Sequence, residues 1–254
     1  MIELYNISLG FGSRTLIEGA SARFECGRMI ALLGRNGTGK STLLRAIAAL
    51  GEVRDGEIVI DGRPLSEYNS AELARKIAFV NTERVDVEAL TVYDLVAIGR
   101  SPYTGWSGRL TEEDRCLVER AMQIAGVEVM ADRRVDTLSD GEAQRVMIAR
   151  ALAQDTPVIL LDEPTAFLDL PNRYELCTLL GRLAREEGKC VIFSTHELDI
   201  ALSLADSIAL VDTPRLVHLA TDEMISSGNI ERLFNGDYAG FDADTRSIRI
   251  FKER

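Results

Sequence analysis

Positive charge is in short supply in this chain. Against 40 Asp and Glu it carries 29 Lys and Arg, a net charge of −11. Non-specific nucleic-acid binding depends on a basic surface, so no nucleic-acid partner is expected. Cysteine is sparse too: Cys26, Cys116, Cys177 and Cys190 form no C-x-x-C pair, and His196 and His218 are the only histidines. That argues against a zinc site, and reduced thiols in a cytosolic protein are the simplest account. No apolar run approaches the ~20 residues that span a bilayer. The start, Met1-Ile2-Glu3-Leu4, is acidic and lacks a signal-peptide pattern. The expectation is a chain soluble on its own, whose membrane role would come through a partner. With six prolines and 20 glycines the composition does not suggest disorder, and 254 residues at 46% hydrophobic are ample for a large core.

The most informative segment is Gly34-Arg35-Asn36-Gly37-Thr38-Gly39-Lys40-Ser41, which fits the phosphate-loop pattern G-x-x-x-x-G-K-[ST] at every fixed position. The apolar run Met29 to Leu33 before it reads as a buried strand, and Ser41 to Leu50 after it as a helix. Glycines let the backbone wrap a polyphosphate and aim N–H groups inward. The helix adds the positive end of its dipole. Lys40 is expected to reach the β- and γ-phosphates, and the Ser41 hydroxyl to hold Mg²⁺.

Residues 1 to about 30 alternate apolar and polar and read as short antiparallel strands. Glu57 to Ile60 and Ala78 to Val80 read as further strands. From Thr91 to Ala153 the pattern is helical. Thr91 with Asp94, Thr111 with Asp114 and Ser139 with Glu142 have the spacing of capped helix starts, and Gly126 that of a stop. Strands then return at Val158 to Leu161, Val191 to Phe193 and Ile208 to Val211, with a helix from Leu176 to Glu187 closed by Gly188. Such alternation argues for an α/β fold with a mainly parallel sheet. Ligands of such sheets sit at the carboxyl ends of strands, where Gly34, Asp162 and His196 fall. Past Pro214 the chain reads as a modest tail, with a helix from Asp222 to Phe234 and a strand from Ser247 to Phe251.

An aliphatic strand ending in Asp162-Glu163 after a phosphate loop suits metal and base chemistry: Asp162 would support Mg²⁺ and Glu163 would polarise the attacking water. Between the two stands Leu138-Ser139-Asp140-Gly141-Glu142. At this point the chain resembles, over essentially its whole length, the nucleotide-binding subunits of ABC transporters. Their signature is usually Leu-Ser-Gly-Gly-Gln. Here Asp140 replaces the first glycine and Glu142 the glutamine, and Glu142 can still cap the helix.

The resemblance implies a P-loop NTPase with a RecA-like core, an N-terminal antiparallel β subdomain and an inserted α-helical lobe at about 84–153, all within one nucleotide-binding domain spanning 1–254. It implies ATP and Mg²⁺ as ligands. Phe11 matches the aromatic that stacks on adenine, the alternative being a core aromatic. The loop residues Gly34, Arg35, Asn36, Gly37, Thr38, Gly39, Lys40, Ser41 and Thr42 would hold the nucleotide in one subunit. Ser139, Gly141 and Glu142 would meet it from a second copy, arranged head to tail. Lys40, Glu163 and the switch histidine, His196, would carry the chemistry, and Asp169 falls at its usual place in the loop after the base. Ser41, Asp162 and Glu83 would serve the metal. The family usually has glutamine where Glu83 stands, so the alternative for Glu83 is an exposed loop carboxylate.

Glu83-Arg84-Val85 and Gly99 to Trp106 are similar to the lobes of ATPases from importers of iron–siderophore, haem and cobalamin complexes. Tyr103 and Trp106 lie where such lobes meet the permease, the alternative being a packed helix–helix turn. The implied partners are an integral membrane permease and, indirectly, a substrate-binding protein, with this subunit peripheral on the cytoplasmic face of the membrane. A soluble ABC ATPase outside transport, such as an iron–sulphur assembly ATPase, stands as the second class of function.

Overall fold

Alternation of buried and solvent-facing residues begins at the amino terminus. Ile2, Leu4, Ile7 and Leu9 point inward from β1 (Ile2–Phe11), which pairs antiparallel with β2 (Arg14–Phe24). The computed structural model describes residues 1–81, 89–106, 108–166, 168–236 and 239–250. After β2 the five residues of β3 (Met29–Leu33) are all buried, as a central parallel strand covered on both faces requires. The phosphate-loop segment leads into α1 (Lys40–Ile47). Next come β4 (Asp55–Ile60), β5 (Arg63–Pro64), α2 (Ser70–Leu73) and β6 (Ile77–Val80). Strands β2, β1, β4 and β5 form one antiparallel sheet in that order.

Three helices follow: α3 (Val92–Ala97), α4 (Glu112–Ala125) and α5 (Asp140–Ala153). Each begins on a reciprocal capping box, with Thr91, Thr111 and Ser139 at the N-cap and Asp94, Asp114 and Glu142 three residues on. Gly126 closes α4 in the left-handed region. The rest alternates: β7 (Val158–Leu161), α6 (Leu170–Glu187), β8 (Cys190–Thr195), α7 (Leu198–Leu204), β9 (Ser207–Asp212) and β10 (Arg215–Ala220). Helices α8 (Thr221–Ser226) and α9 (Asn229–Phe234) and a hairpin, β11 (Ala239–Asp242) with β12 (Ser247–Ile250), complete the described chain.

The second sheet has the order β10-β9-β3-β8-β7-β6. Its pairings are parallel except for β10 on β9. Because side chains alternate across a strand, each buried strand serves two cores. Met29, Ala31 and Leu33 join the core under α3 to α6, whereas Ile30 and Leu32 join β1, β2 and α1. The loops after β3, β7 and β8 therefore emerge side by side at one end of the sheet.

Several boundaries differ from the sequence expectation. Helix α1 stops at Ile47 rather than Leu50, because Ala49 turns left-handed (φ 55°). Helix α6 starts at Leu170 rather than Leu176, with Asp169 as its cap and a proline in its first turn. The helix expected from Asp222 to Phe234 is two, broken at Gly228 (φ 73°). The supposed tail contains β10, whose interior residues are all half-buried; without a clean period-2 alternation it carries no strand signal. Among the described residues no helix is long and apolar enough to cross a membrane.

Candidate active site

Strand β3 delivers the chain to Gly34, which has no room for a side chain. A Cβ there would lie 2.7 Å from the Val211 carbonyl oxygen and 2.9 Å from Thr38 Oγ1. Gly39 sits at φ 106°, a conformation side chains rarely adopt, and forms the N-cap of α1. The loop is braced from within and without. Thr38 Oγ1 donates to the Arg35 carbonyl at 2.9 Å, and Thr213 Oγ1 to the Thr38 carbonyl at 3.0 Å. Arg35 bonds the Leu233 carbonyl at the end of α9.

Lys40 is buried, and its Nζ donates to the carbonyls of Gly34 (2.9 Å) and Arg35 (3.1 Å). Burial pushes its pKa below the usual lysine range, opposed by the nearby charges of Glu163 and Asp162. Ser41 Oγ, in the first turn of α1, donates to Asp162 Oδ1 at 2.9 Å. Ser194, fully buried near the end of β8, also donates to Asp162 Oδ1, at 2.7 Å, and accepts the Glu163 N–H at 2.8 Å. Neither bond to Asp162 engages Oδ2. Glu163 has φ 44°, a strained left-handed backbone for a residue with a side chain. Its Oε1 lies 4.0 Å from Lys40 Nζ and 3.7 Å from His196 Nδ1.

Lys40, Ser41 and Glu163 border a cleft of about 430 Å³, lined also by Phe11, Arg14, Leu16, Asn36, Gly37, Gly39 and Thr42. Phe11 is 83% exposed at its edge, so it is not a core aromatic. An open face of an aromatic ring beside a phosphate loop suits a nucleobase. Ser41 and Asp162 present hard oxygens to the same place. That suits Mg²⁺, which is ordinarily held by one or two carboxylates together with substrate phosphates. Among the described residues, no cluster of three or more His, Cys, Asp or Glu could hold a metal by itself.

The second group of expected residues keeps other company. Ser139 Oγ donates to Glu142 Oε2 at 3.0 Å, and Arg133 Nη1 bonds Glu142 Oε1 at 2.7 Å. The Ser139 N–H and then Arg133 hold the Glu142 carboxyl below the usual range. A Cβ on Gly141 would meet Leu168 at 3.4 Å. None of these recorded contacts is with the phosphate loop. Asp169 caps α6, accepting from the Asn172 N–H at 3.1 Å. Glu83 lies outside the described residues, as do Arg84, Val85 and Phe167. The Arg100 guanidinium lies 4.0 Å from the Tyr103 ring centre, yet Tyr103 remains 37% exposed, and Trp106 is fully exposed.

Sequence reasoning missed Ser194, whose only signal is a small hydroxyl ending an aliphatic strand. It also missed the buried pair Arg100–Asp114 at 2.8 Å, and the Arg133 partner of Glu142.

The family described as ABC transporter matches residues 17–166. The chain is 38% identical over 229 residues to the ferric enterobactin transport ATP-binding protein of Escherichia coli strain K12, covering 90% of this chain and 84% of the relative. It is 37% identical over 232 residues to the achromobactin transport ATP-binding protein of Dickeya dadantii strain 3937, covering 91% and 86%. Among solved structures it is similar to an inward-facing ABC transporter of metal-chelate type, with TM-score 0.81, 28% identity, and 92% of this chain and 88% of that one covered. A dimeric bacterial ABC transporter cassette is similar at TM-score 0.75 and 28% identity, covering 87% and 99%. Matched by the family over residues 17–166 and by transport ATP-binding proteins over nine-tenths of its length, the chain belongs to the ABC transporter family as an ATP-binding subunit that hydrolyses ATP.

Proposed function

We propose that this subunit powers the import of a ferric siderophore or a related metal chelate, working as a head-to-tail dimer on the cytoplasmic face of a membrane permease. The observation that carries the chemistry is the convergence of Lys40, Ser41, Asp162 and Glu163 at the carboxyl ends of β3 and β7. The cargo class rests on relatives named for ferric enterobactin and achromobactin transport.

In this reading the whole chain, 1–254, is one nucleotide-binding domain with a helical lobe at about 84–153. The phosphate loop wraps the polyphosphate of ATP, with Phe11 against the adenine. Lys40 turns its ammonium from the loop carbonyls to the β- and γ-phosphates. Ser41 and Asp162 would hold Mg²⁺, with Glu83 as a further oxygen donor, and the metal would supply positive charge against the phosphates. Glu163 accepts a proton from the attacking water, and His196 contacts the γ-phosphate. Its strained backbone aims the Glu163 carboxylate into the cleft between Lys40 and His196.

Ser139, Gly141 and Glu142 of a second copy close the site from the other side, bringing the amino end of α5 to an anion. A similar cassette that is dimeric supports this arrangement. ATP then joins the two copies and hydrolysis loosens them, a change the permease would feel through α3 to α5 and the exposed Trp106. A substrate-binding protein would deliver the chelate on the far side.

The test is reconstitution with the permease in lipid vesicles and measurement of ATP-driven uptake across a panel of ferric siderophores, haem and cobalamin. Uptake of a ferric siderophore is the expected result. Steady copurification with a soluble scaffold, and no uptake of any chelate, would reject the proposal.

A further inference from the structure

Glu197 follows His196 directly, and its side chain is only 14% exposed. Its carboxylate points back into the protein. Oε1 accepts from Thr165 Oγ1 at 2.9 Å, and Oε2 is paired with Arg173 Nη1. Arg173 in turn donates from Nε to the Leu168 carbonyl at 2.6 Å. On its other side Glu197 is anchored by its own N–H, which bonds Thr195 Oγ1 at 3.0 Å. Thr165 and Thr195 are both buried.

These contacts join two loops that are distant in sequence. Thr165 and Leu168 belong to the loop after Glu163; Glu197 belongs to the loop that presents His196. The bond from Thr165 in the first loop and the ion pair from Arg173, in the first turn of α6, both end on the Glu197 carboxylate, and charge-assisted bonds are the stronger and better directed kind. The His196 ring needs such help. It is half exposed, and at 3.7 Å its contact with Glu163 is too long for a hydrogen bond. The place of that ring is therefore set by the backbone beneath it, which Glu197 holds.

We propose that Glu197, together with Arg173, is a positioning residue for ATP hydrolysis: it clamps the His196 loop to the loop that carries Glu163. The proposal rests on the roles given above to Glu163 and His196, and not on the cargo or the dimer. It separates hydrolysis from binding, because the phosphate loop and Lys40 are carried by β3 and α1, which Glu197 does not touch. A displacement of about 1 Å at a reacting group can cost about 10²-fold in rate. Glu197→Ala is thus expected to lower kcat by roughly 10- to 100-fold while ATP affinity stays within about 2-fold. Glu197→Gln retains oxygen and reach, and is expected to recover most of the rate. Glu197→Ala with Arg173→Ala is expected to be little worse than either alone, since both break one network.

The experiment measures kcat and KM of the full chain by phosphate release and ATP affinity by calorimetry, for wild type, Glu197→Ala, Glu197→Gln, Arg173→Ala and the double variant. Wild-type kcat in Glu197→Ala, equal losses of kcat and affinity, or a Glu197→Gln as slow as the alanine variant would each overturn the proposal. If Glu197→Ala does not fold, Arg173→Ala and Arg173→Lys carry the test. A slow Arg173→Ala partly restored by lysine supports the clamp, and an Arg173→Ala at wild-type rate overturns it. Glu163→Gln and His196→Ala are measured alongside. Normal turnover in those two would sink the catalytic assignments themselves; slow turnover there with a normal Glu197→Ala removes only the clamp.

Discussion

Replacing Glu163 by glutamine keeps the shape of the side chain while removing its charge and its basicity. Two effects of different size follow. Oε1 of Glu163 lies 4.0 Å from Lys40 Nζ. At that distance two unit charges attract by about 4 kcal/mol at an effective dielectric of ~20. Because the Glu163 side chain is 32% exposed, solvent reduces this toward ~1 kcal/mol. Loss of that attraction frees Lys40 for phosphate and removes a negative charge that faces it, so ATP should bind as well as before or more tightly. The chemical step changes far more. Loss of a general base slows proton transfer by about 10²–10⁴-fold, or ~2.7–5.4 kcal/mol of barrier. The variant should therefore bind MgATP and hydrolyse it very slowly. Calorimetry gives the affinity, and single-turnover phosphate release gives the chemical rate. Turnover within about 3-fold of wild type, a loss under ~0.7 kcal/mol, would refute the reasoning, as would a rate loss matched by an equal loss of affinity.

Lys40→Ala should lose much of its ATP affinity and nearly all activity, since the missing ammonium neutralises phosphate both before and during transfer; unchanged binding by calorimetry with the fold intact would count against that role. Glu163→Gln should sediment as a monomer without nucleotide and as a dimer with ATP, the more readily at higher salt because each chain carries −11; a dimer indifferent to ATP would sink the composite site. Asp114→Ala should cost about 3 kcal/mol of unfolding free energy in urea at neutral pH, because it leaves the buried Arg100 guanidinium unpaired. Bonds from Thr111, then Arg100, hold the Asp114 carboxyl below its usual range. Its stabilisation is therefore complete above the unfolded carboxylate range near 4 and fades as pH falls through the lower folded value, so the gap between wild type and variant should narrow in acid. A thiol reagent should label Cys26 and Cys116 in the native protein, and Cys177 and Cys190 only after unfolding, because burial pushes both of those thiols up to about 12; rapid native labelling of all four would contradict the buried placement.

What could be read from the sequence was local. The turn of Gly34 to Ser41 depends on backbone freedom at its own glycines and on the helix that starts within it. The three helix starts at Thr91, Thr111 and Ser139 depend on hydrogen bonds spanning three residues, so spacing alone reveals them. The runs Met29 to Leu33 and Val158 to Leu161 declare burial on both faces, and with it a covered parallel sheet. The tertiary structure decided what depends on neighbours brought together by strand order. Ser41 and Asp162 stand 121 residues apart and meet because β3 and β7 both flank β8. Ser194 becomes the pin between Asp162 and Glu163 only there, and Glu197 finds Thr165 and Arg173 for the same reason. Exposure was likewise settled by packing: Phe11 stands open at the cleft, and Tyr103 stays partly exposed although the Arg100 guanidinium lies over its ring. A period-2 or period-3.6 pattern reports which face of an element is buried. It carries no record of which other element arrives to bury it, and that is why the site's loops were legible and the bonds between them were not.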